Sequence, residues 1–168
     1  MNLTGKQLRE FISNVPEQNV QQHGIDLNVI SVSKVISRGL IPVEGKTILG
    51  QREEIKPTVR VLEADRKGSV LSLDPGVYDF VFAQGCKVPP NLWLEIIQRS
   101  SCSRNGLFIR SAIFDAGFQT ENMGTMVIVM IPIDIEVGAR VAQITSHLSN
   151  TVDNLYQGQW QGDNQRKN

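Results

Sequence analysis

The chain has 168 residues, of which 40% are hydrophobic and 20% charged, with 17 Lys+Arg against 17 Asp+Glu. This is the size of one ordinary domain with enough apolar material for a core. The neutral balance excludes a general nucleic-acid or membrane-surface binder, which needs a basic excess, but leaves room for a small anionic ligand held by a few local donors.

The first segment, Leu3 to Ile12, reads as a short helix with Thr4 as N-cap, Leu8, Phe11 and Ile12 on one face, and Pro16 as its end. From Ile25 the period changes. Short β-branched or apolar runs follow at Ile25–Val32, Thr58–Glu63, Val70–Leu73, Gly76–Ala83, Leu92–Gln98, Leu107–Phe114, Met126–Ile133 and Ala139–Ser146. Turn signals such as Asp74-Pro75-Gly76, Pro89-Pro90-Asn91, Asn105-Gly106 and Glu136-Val137-Gly138 separate them. Many short strands spaced by such turns indicate a β-sandwich or barrel, not βαβ units. The charged, Gly-containing stretch Gly45 to Lys56 reads as a surface loop or hairpin, and the polar tail Gln157–Asn168 as mobile until something orders it. The expectation is a single mainly β domain over residues 1–168, with 155–168 as a C-terminal lid.

Cys86 and Cys102 are too far apart for a short-spaced zinc pair and read as small core residues, and His23 and His147 are too separated for a metal cluster. The polar start Met1–Glu10 has no signal-peptide core, and no apolar run approaches the roughly 20 residues of a membrane span. The expected location is the cytoplasm, with neither nucleic acid nor membrane as partner.

Four constellations can carry chemistry. Arg99-Ser100-Ser101-Cys102-Ser103-Arg104-Asn105-Gly106 follows an apolar strand and offers hydroxyl and guanidinium donors to one anion, as phosphate requires. The same composition fits a polar turn with a capped helix start. In Phe114-Asp115-Ala116-Gly117-Phe118, a carboxylate lies between aromatics that can desolvate it, beside a Gly that lets a ligand approach. That suits a general base, or simply an Asp opening a turn. Gly138-Ala139-Arg140-Val141-Ala142-Gln143-Ile144 reads as a strand with one buried face and with Arg140 and Gln143 on opposite faces. Tyr156-Gln157-Gly158-Gln159-Trp160-Gln161-Gly162 could close over a flat ligand, or be a disordered tail. No G-x-x-x-x-G-K-[ST] loop, G-x-S-x-G elbow or H-x-E…C-x-x-C signature is present, so zinc-type base deamination is excluded.

Taken in order, these pieces resemble the dUTPase and dCTP deaminase superfamily, and its deaminase-like, archaeal-type dUTPases above all. Gln22-His23-Gly24-Ile25-Asp26-Leu27 is similar to the S-x-D-L motif, and Leu73–Tyr78 followed by Val88–Leu92 to the L-x-P-G segment and proline turn. Arg99-Ser100-Ser101 with Arg104-Asn105-Gly106 matches R-S-S-x-x-R-x-G, and Phe114–Phe118 matches I-D-x-G-Y. Gly138–Gln143 matches G-A-R-I-A-Q, and Tyr156–Gly162 is similar to Y-x-G-x-Y-Q-G. Together they span Gln21 to about Gly162.

The resemblance implies a distorted jelly-roll or β-barrel that assembles as a homotrimer with sites shared between subunits, and Mg²⁺ on the triphosphate. It gives Arg99, Ser100, Ser101, Arg104, Asn105 and Gly106 to the phosphates. A β-hairpin between Gly106 and Asp115, with Ser111 and Ala112, would read the base through its backbone. Phe118 would pack on the sugar, Gln143 would line the pocket, and Tyr156, Gln159 and Gln161 would close it. Asp115 would activate water for attack on the α-phosphorus of dUTP, giving dUMP and pyrophosphate.

The family's deaminases carry a glutamate five residues past the second Gly of G-[YW]-x-G. Here that Gly is missing or displaced. If Thr120 fills its place the glutamate position is Thr125, and if Gly124 does it is Val129, so neither alignment supplies a carboxylate. The reading is therefore a dUTP diphosphatase. The alternatives are a dCTP deaminase, alone or bifunctional, with Glu121 recruited, or a non-catalytic trimer that binds nucleotides.

Overall fold

The computed structural model describes residues 2–162. The chain opens with the short helix α1 (Gly5–Leu8), and a 3-10 turn over Arg9–Phe11 follows it. Thr4 caps α1 as expected: its hydroxyl accepts from the Gln7 amide, and the Gln7 side chain accepts from the Thr4 amide in return. The helix ends well before Pro16, because Ile12 leaves it to bridge Cys86 in extended conformation.

Among the described residues twelve strands follow, with one further α-helix among them. They are β1 (Ile25–Val35), β2 (Arg52–Glu54), β3 (Thr58–Val61), β4 (Lys67–Leu73), β5 (Gly76–Phe82), β6 (Cys86–Lys87) and β7 (Leu92–Gln98). Then come α2 (Ser100–Arg104), β8 (Leu107–Ile109), β9 (Gln119–Thr120), β10 (Gly124–Val129), β11 (Ile133–Glu136) and β12 (Arg140–Leu148). The main sheet runs β7-β12-β1-β5-β10-β8, with β2 added on β1. After β8 the chain lies back along β7, where Arg110 bridges Ile97 and Phe114 bridges Leu94. That return nearly closes the sheet into a barrel and leaves little open edge. A smaller sheet, β11-β4-β3, and the β6-β9 ladder flank it.

Alternation explains which residues fill the barrel. Leu92, Leu94 and Ile96 of β7 point inward, each at most 1% exposed, and burying each contributes about 1.5–3 kcal/mol. On β1 the inward set Ile25, Leu27, Val29 jumps to Val32, because a register shift between Val29 and Ser31 adds one residue. β5 packs Tyr78, Phe80 and Phe82 against them.

Two expected elements differ. The run Met126–Ile133 is two strands, since the chain breaks at Met130–Pro132 and β11 joins the smaller sheet. The segment from Gly106 to Asp115 is not a hairpin of its own. Its β8 part pairs with β10 and its later part with β7, because hydrogen bonds from both neighbours take up its backbone. The stretch 45–56, expected as a loop or hairpin, is the returning arm of a hairpin: β2 pairs with the end of β1, and Leu40 bridges Ile48. Among the described residues, no helix is long and apolar enough to cross a membrane.

Candidate active site

Five of the residues singled out from the sequence meet at one cavity of about 320 Å³: Ser111, Ala112, Asp115, Phe118 and Tyr156. The segment after β8 supplies the first two. Ser111 is locked by its neighbours: its amide donates to Ile96 O (3.1 Å), and its hydroxyl accepts from the Ile96 amide (2.8 Å) and donates to Ala112 O (2.6 Å). This leaves Ala112 exposed at the cavity mouth.

Asp115 starts a tight turn whose hydrogen bond runs from the Phe118 amide to the Asp115 carbonyl (3.0 Å). The turn uses the backbone. No hydrogen bond or ion pair to the Asp115 carboxylate is found among the described residues, and the residue is exposed. The expected desolvation by Phe114 and Phe118 is thus not met within one chain, because both rings turn inward. Phe118 is 7% exposed, wedged between Phe114 (5.3 Å) and Tyr156 (5.5 Å, edge-on). Asp115 stands on the ridge between this cavity and a second groove bordered by Trp93 and Asn154.

Gly117 serves the tail. Its φ is +88°, and a Cβ there would lie 2.6 Å from Leu155 Cβ. The tail docks across this turn. The Tyr156 amide donates to Ala116 O (2.8 Å), and the Gln161 side chain donates to Gly117 O (2.9 Å) while accepting from the Gln119 amide (2.9 Å). Gln159 pairs both ends of its amide with the backbone of Thr47, accepting at 3.0 Å and donating at 3.2 Å. Gln159 and Gln161 therefore spend their amides on holding the tail, and Tyr156 and Trp160 line the cavity. Of the lid span 155–168, residues 163–168 lie outside the described residues.

The phosphate-motif residues lie elsewhere. Ser100, Ser101 and Arg104 are exposed on α2, Cys102 turns inward, and Asn105 and Gly106 close the loop. Gly106 has φ +74°, and a Cβ would meet Ile131 Cγ1 at 2.7 Å. Burial pushes the Cys102 thiol up, and that of Cys86 up to about 12, and both lie in the core as expected. None of Ser100, Ser101, Arg104 or Gln143 lines the Asp115 cavity.

Behind α2 lies Asp26, 1% exposed, with Arg99 Nε at 3.3 Å and Arg140 Nη1 at 3.4 Å. Arg99 also donates to Arg140 O (2.9 Å), and Gln143 Nε2 donates to Asp26 Oδ1 (3.3 Å). Arg140 and Gln143 thus reach the same carboxylate, not opposite faces. The cause is a bulge: Asp26 pairs with Gln143 and Leu27 with Ala142, but Asn28 pairs with Arg140, so Val141 is the extra residue.

A family model described as dCTP deaminase-like matches residues 3–148. The chain belongs to this family. A protein of Halobacterium salinarum named "Probable deoxyuridine 5'-triphosphate nucleotidohydrolase" is 33% identical over 91% of this chain and 92% of its own. The "Deoxyuridine 5'-triphosphate nucleotidohydrolase" of Methanocaldococcus jannaschii is 30% identical over 92% of this chain and 94% of its own. The crystal structure of the 2'-deoxycytidine 5'-triphosphate deaminase of Agrobacterium tumefaciens shares the fold. It superposes with a TM-score of 0.64 at 16% identity, over 88% of this chain and 48% of that longer one.

The resemblance leaves two candidate positions for the deaminases' glutamate. Of these, Thr125 lines the cavity and Val129 is 2% exposed in the core. Glu121 borders a different groove, beside Phe11 and Lys87. Sequence reading missed Asp26 and Arg140 as site residues although both stood in quoted motifs. It also missed Arg52 and Asp79, which line the cavity as an ion pair (2.9 Å). The signal for Asp79 was a charge amid the apolar run Val77–Phe82.

Proposed function

We propose that the chain hydrolyses dUTP to dUMP and pyrophosphate. The observation that carries this reading is the cavity itself: Asp115 borders it, and neither Thr125 on its wall nor Val129 in the core, the two candidate positions for the deaminases' proton-shuttling glutamate, carries a carboxylate. Hydrolysis needs only a base for water and donors for the phosphates, whereas deamination needs that carboxylate. The names of the archaeal relatives agree.

In this reading Ala112 presents its backbone to the base from a segment that Ser111 holds against β7, Phe118 and Tyr156 enclose the sugar, and Asp115 takes a proton from the attacking water. Ser100, Ser101 and Arg104 hold the phosphates, with Asn105 and Gly106 shaping their loop. Asp26 keeps Arg99 and Arg140 in place behind them, beside Gln143.

The phosphate side and the Asp115 side do not meet within one chain, which is what sites shared between subunits of a homotrimer require. An apolar stripe supports such packing. Val77, Ile128 and Phe108 are cross-strand neighbours on β5, β10 and β8, each 44–49% exposed, and the stripe continues to Met126 at the cavity wall. With both faces apolar, β10 reads as a strand covered on both sides.

Mg²⁺ fits as part of the substrate. Among the described residues, no group of three or more His, Cys, Asp or Glu could hold a metal, and Asp26 is already taken by two guanidiniums. An ion carried on the triphosphate keeps its waters and needs few protein ligands, and there it neutralises phosphate charge.

The test is incubation with each deoxynucleoside triphosphate while pyrophosphate and ammonia are followed. Pyrophosphate from dUTP without ammonia from dCTP is expected. Ammonia release would move the assignment to a deaminase, and neither product to a binding trimer.

A further inference from the structure

The cavity is walled mainly by apolar groups, so its few polar side chains set what it accepts. Asp79 and Arg52 are two of them, and they are not equivalent. Asp79 is 4% exposed, in the middle of β5. Arg52, on β2, keeps a quarter of its side chain exposed. Its Nε donates to Asp79 Oδ2 (2.9 Å) and its Nη1 to Gly50 O (3.0 Å). Two anchors fix the plane of the guanidinium, and among the described residues its Nη2 has no hydrogen-bond partner. Both residues line the cavity, and the exposed quarter of Arg52 against the 4% of Asp79 makes the guanidinium the accessible end of the pair.

A guanidinium has five N–H donors and no acceptor. Whatever lies opposite must be an acceptor. A pyrimidine with a 4-oxo group supplies one, whereas a 4-amino group sets donor against donor. The cavity's Thr125 hydroxyl can serve either way and does not discriminate. Arg110, the other guanidinium at the cavity, is exposed at its rim. Resting on the dUTP reading above, we propose that Arg52 is the specificity-determining residue that selects 4-oxo over 4-amino pyrimidine nucleotides, with Asp79 as its positioning residue. A site built to hydrogen-bond one group rejects its counterpart strongly, because its own polar group is left unpaired.

The test compares dUTP with dCTP in two ways: by pyrophosphate release, and by the Kd of their non-hydrolysable α,β-imido analogues. Arg52→Met alone would strand Asp79, so it is combined with Asp79→Leu, and Arg52→Lys keeps the charge but loses the planar fork. Melting curves check that each variant folds. The double variant is expected to lower the dUTP-over-dCTP ratio by about 10- to 100-fold, through a higher KM for dUTP at little-changed kcat. Arg52→Lys is expected to lower it less, with a melting point near that of the unmodified protein. Equal loss for both nucleotides, or an unchanged ratio, would overturn the inference and leave the hydrolase reading standing. If the unmodified protein hydrolyses neither nucleotide, that reading fails by itself. The analogue Kd ratio still decides on Arg52, and no preference for the dUTP analogue overturns it.

Discussion

Replacing Asp115 with Asn separates catalysis from folding. The carboxylate is exposed and unbonded among the described residues, and the turn it opens is closed by backbone atoms. The amide has the same size, so stability should change by no more than about 0.5 kcal/mol, or roughly 1–2 °C in Tm for a domain of this length. Turnover of dUTP should fall by about 10²–10⁴-fold, the range for loss of a general base, equal to about 2.7–5.4 kcal/mol of barrier. Nucleotide binding should hold or tighten, because a negative charge beside the triphosphate is gone. Asp26→Asn is the contrasting control. Asp26 is 1% exposed between two guanidiniums, and breaking a buried pair costs about 3–5 kcal/mol. Arg99 and Arg140 are 31% and 38% exposed, so solvent screening lowers this to about 1–3 kcal/mol. Pyrophosphate release and thermal melting measured on both variants check the argument. Asp115→Asn retaining more than about a tenth of the turnover would falsify the general-base role.

Truncation after Leu155 should leave the barrel folded but strongly lower turnover, since Tyr156 and Trp160 line the cavity and Gln159 and Gln161 hold them there; full activity in the truncated protein would refute the lid. Gly117→Ala should act in the same direction without removing any residue, because its Cβ would press on Leu155 at 2.6 Å. A tail still protected from proteolysis in that variant would count against it. Ile128→Asp, on the apolar stripe, should shift the sedimentation coefficient from trimer to monomer and abolish hydrolysis together. An active monomer would show that the site is complete within one chain.

Much of this protein was legible in its sequence because local rules govern it. Alternating apolar residues bounded by Gly and Pro turns predict short strands, and Thr4 marks the helix cap. The motifs around Asp26, Arg99, Asp115, Arg140 and Tyr156 announce the family because each is contiguous, with spacing set by one turn or one strand. Local rules could not say that Val141 bulges. That one residue moves Arg140 and Gln143 onto the same carboxylate, and only pairing with β1 reveals it. Nor could they say that Leu107–Phe114 divides between β10 and β7, since its partners are chosen by barrel closure. The Arg52–Asp79 pair joins residues 27 positions apart, one of them on a stretch that reads as a surface loop or hairpin. The sequence by itself determined the strand-forming segments and the chemical groups of the site. Tertiary structure alone decided which groups face one cavity, because strand register and packing, not spacing along the chain, bring them within hydrogen-bonding reach.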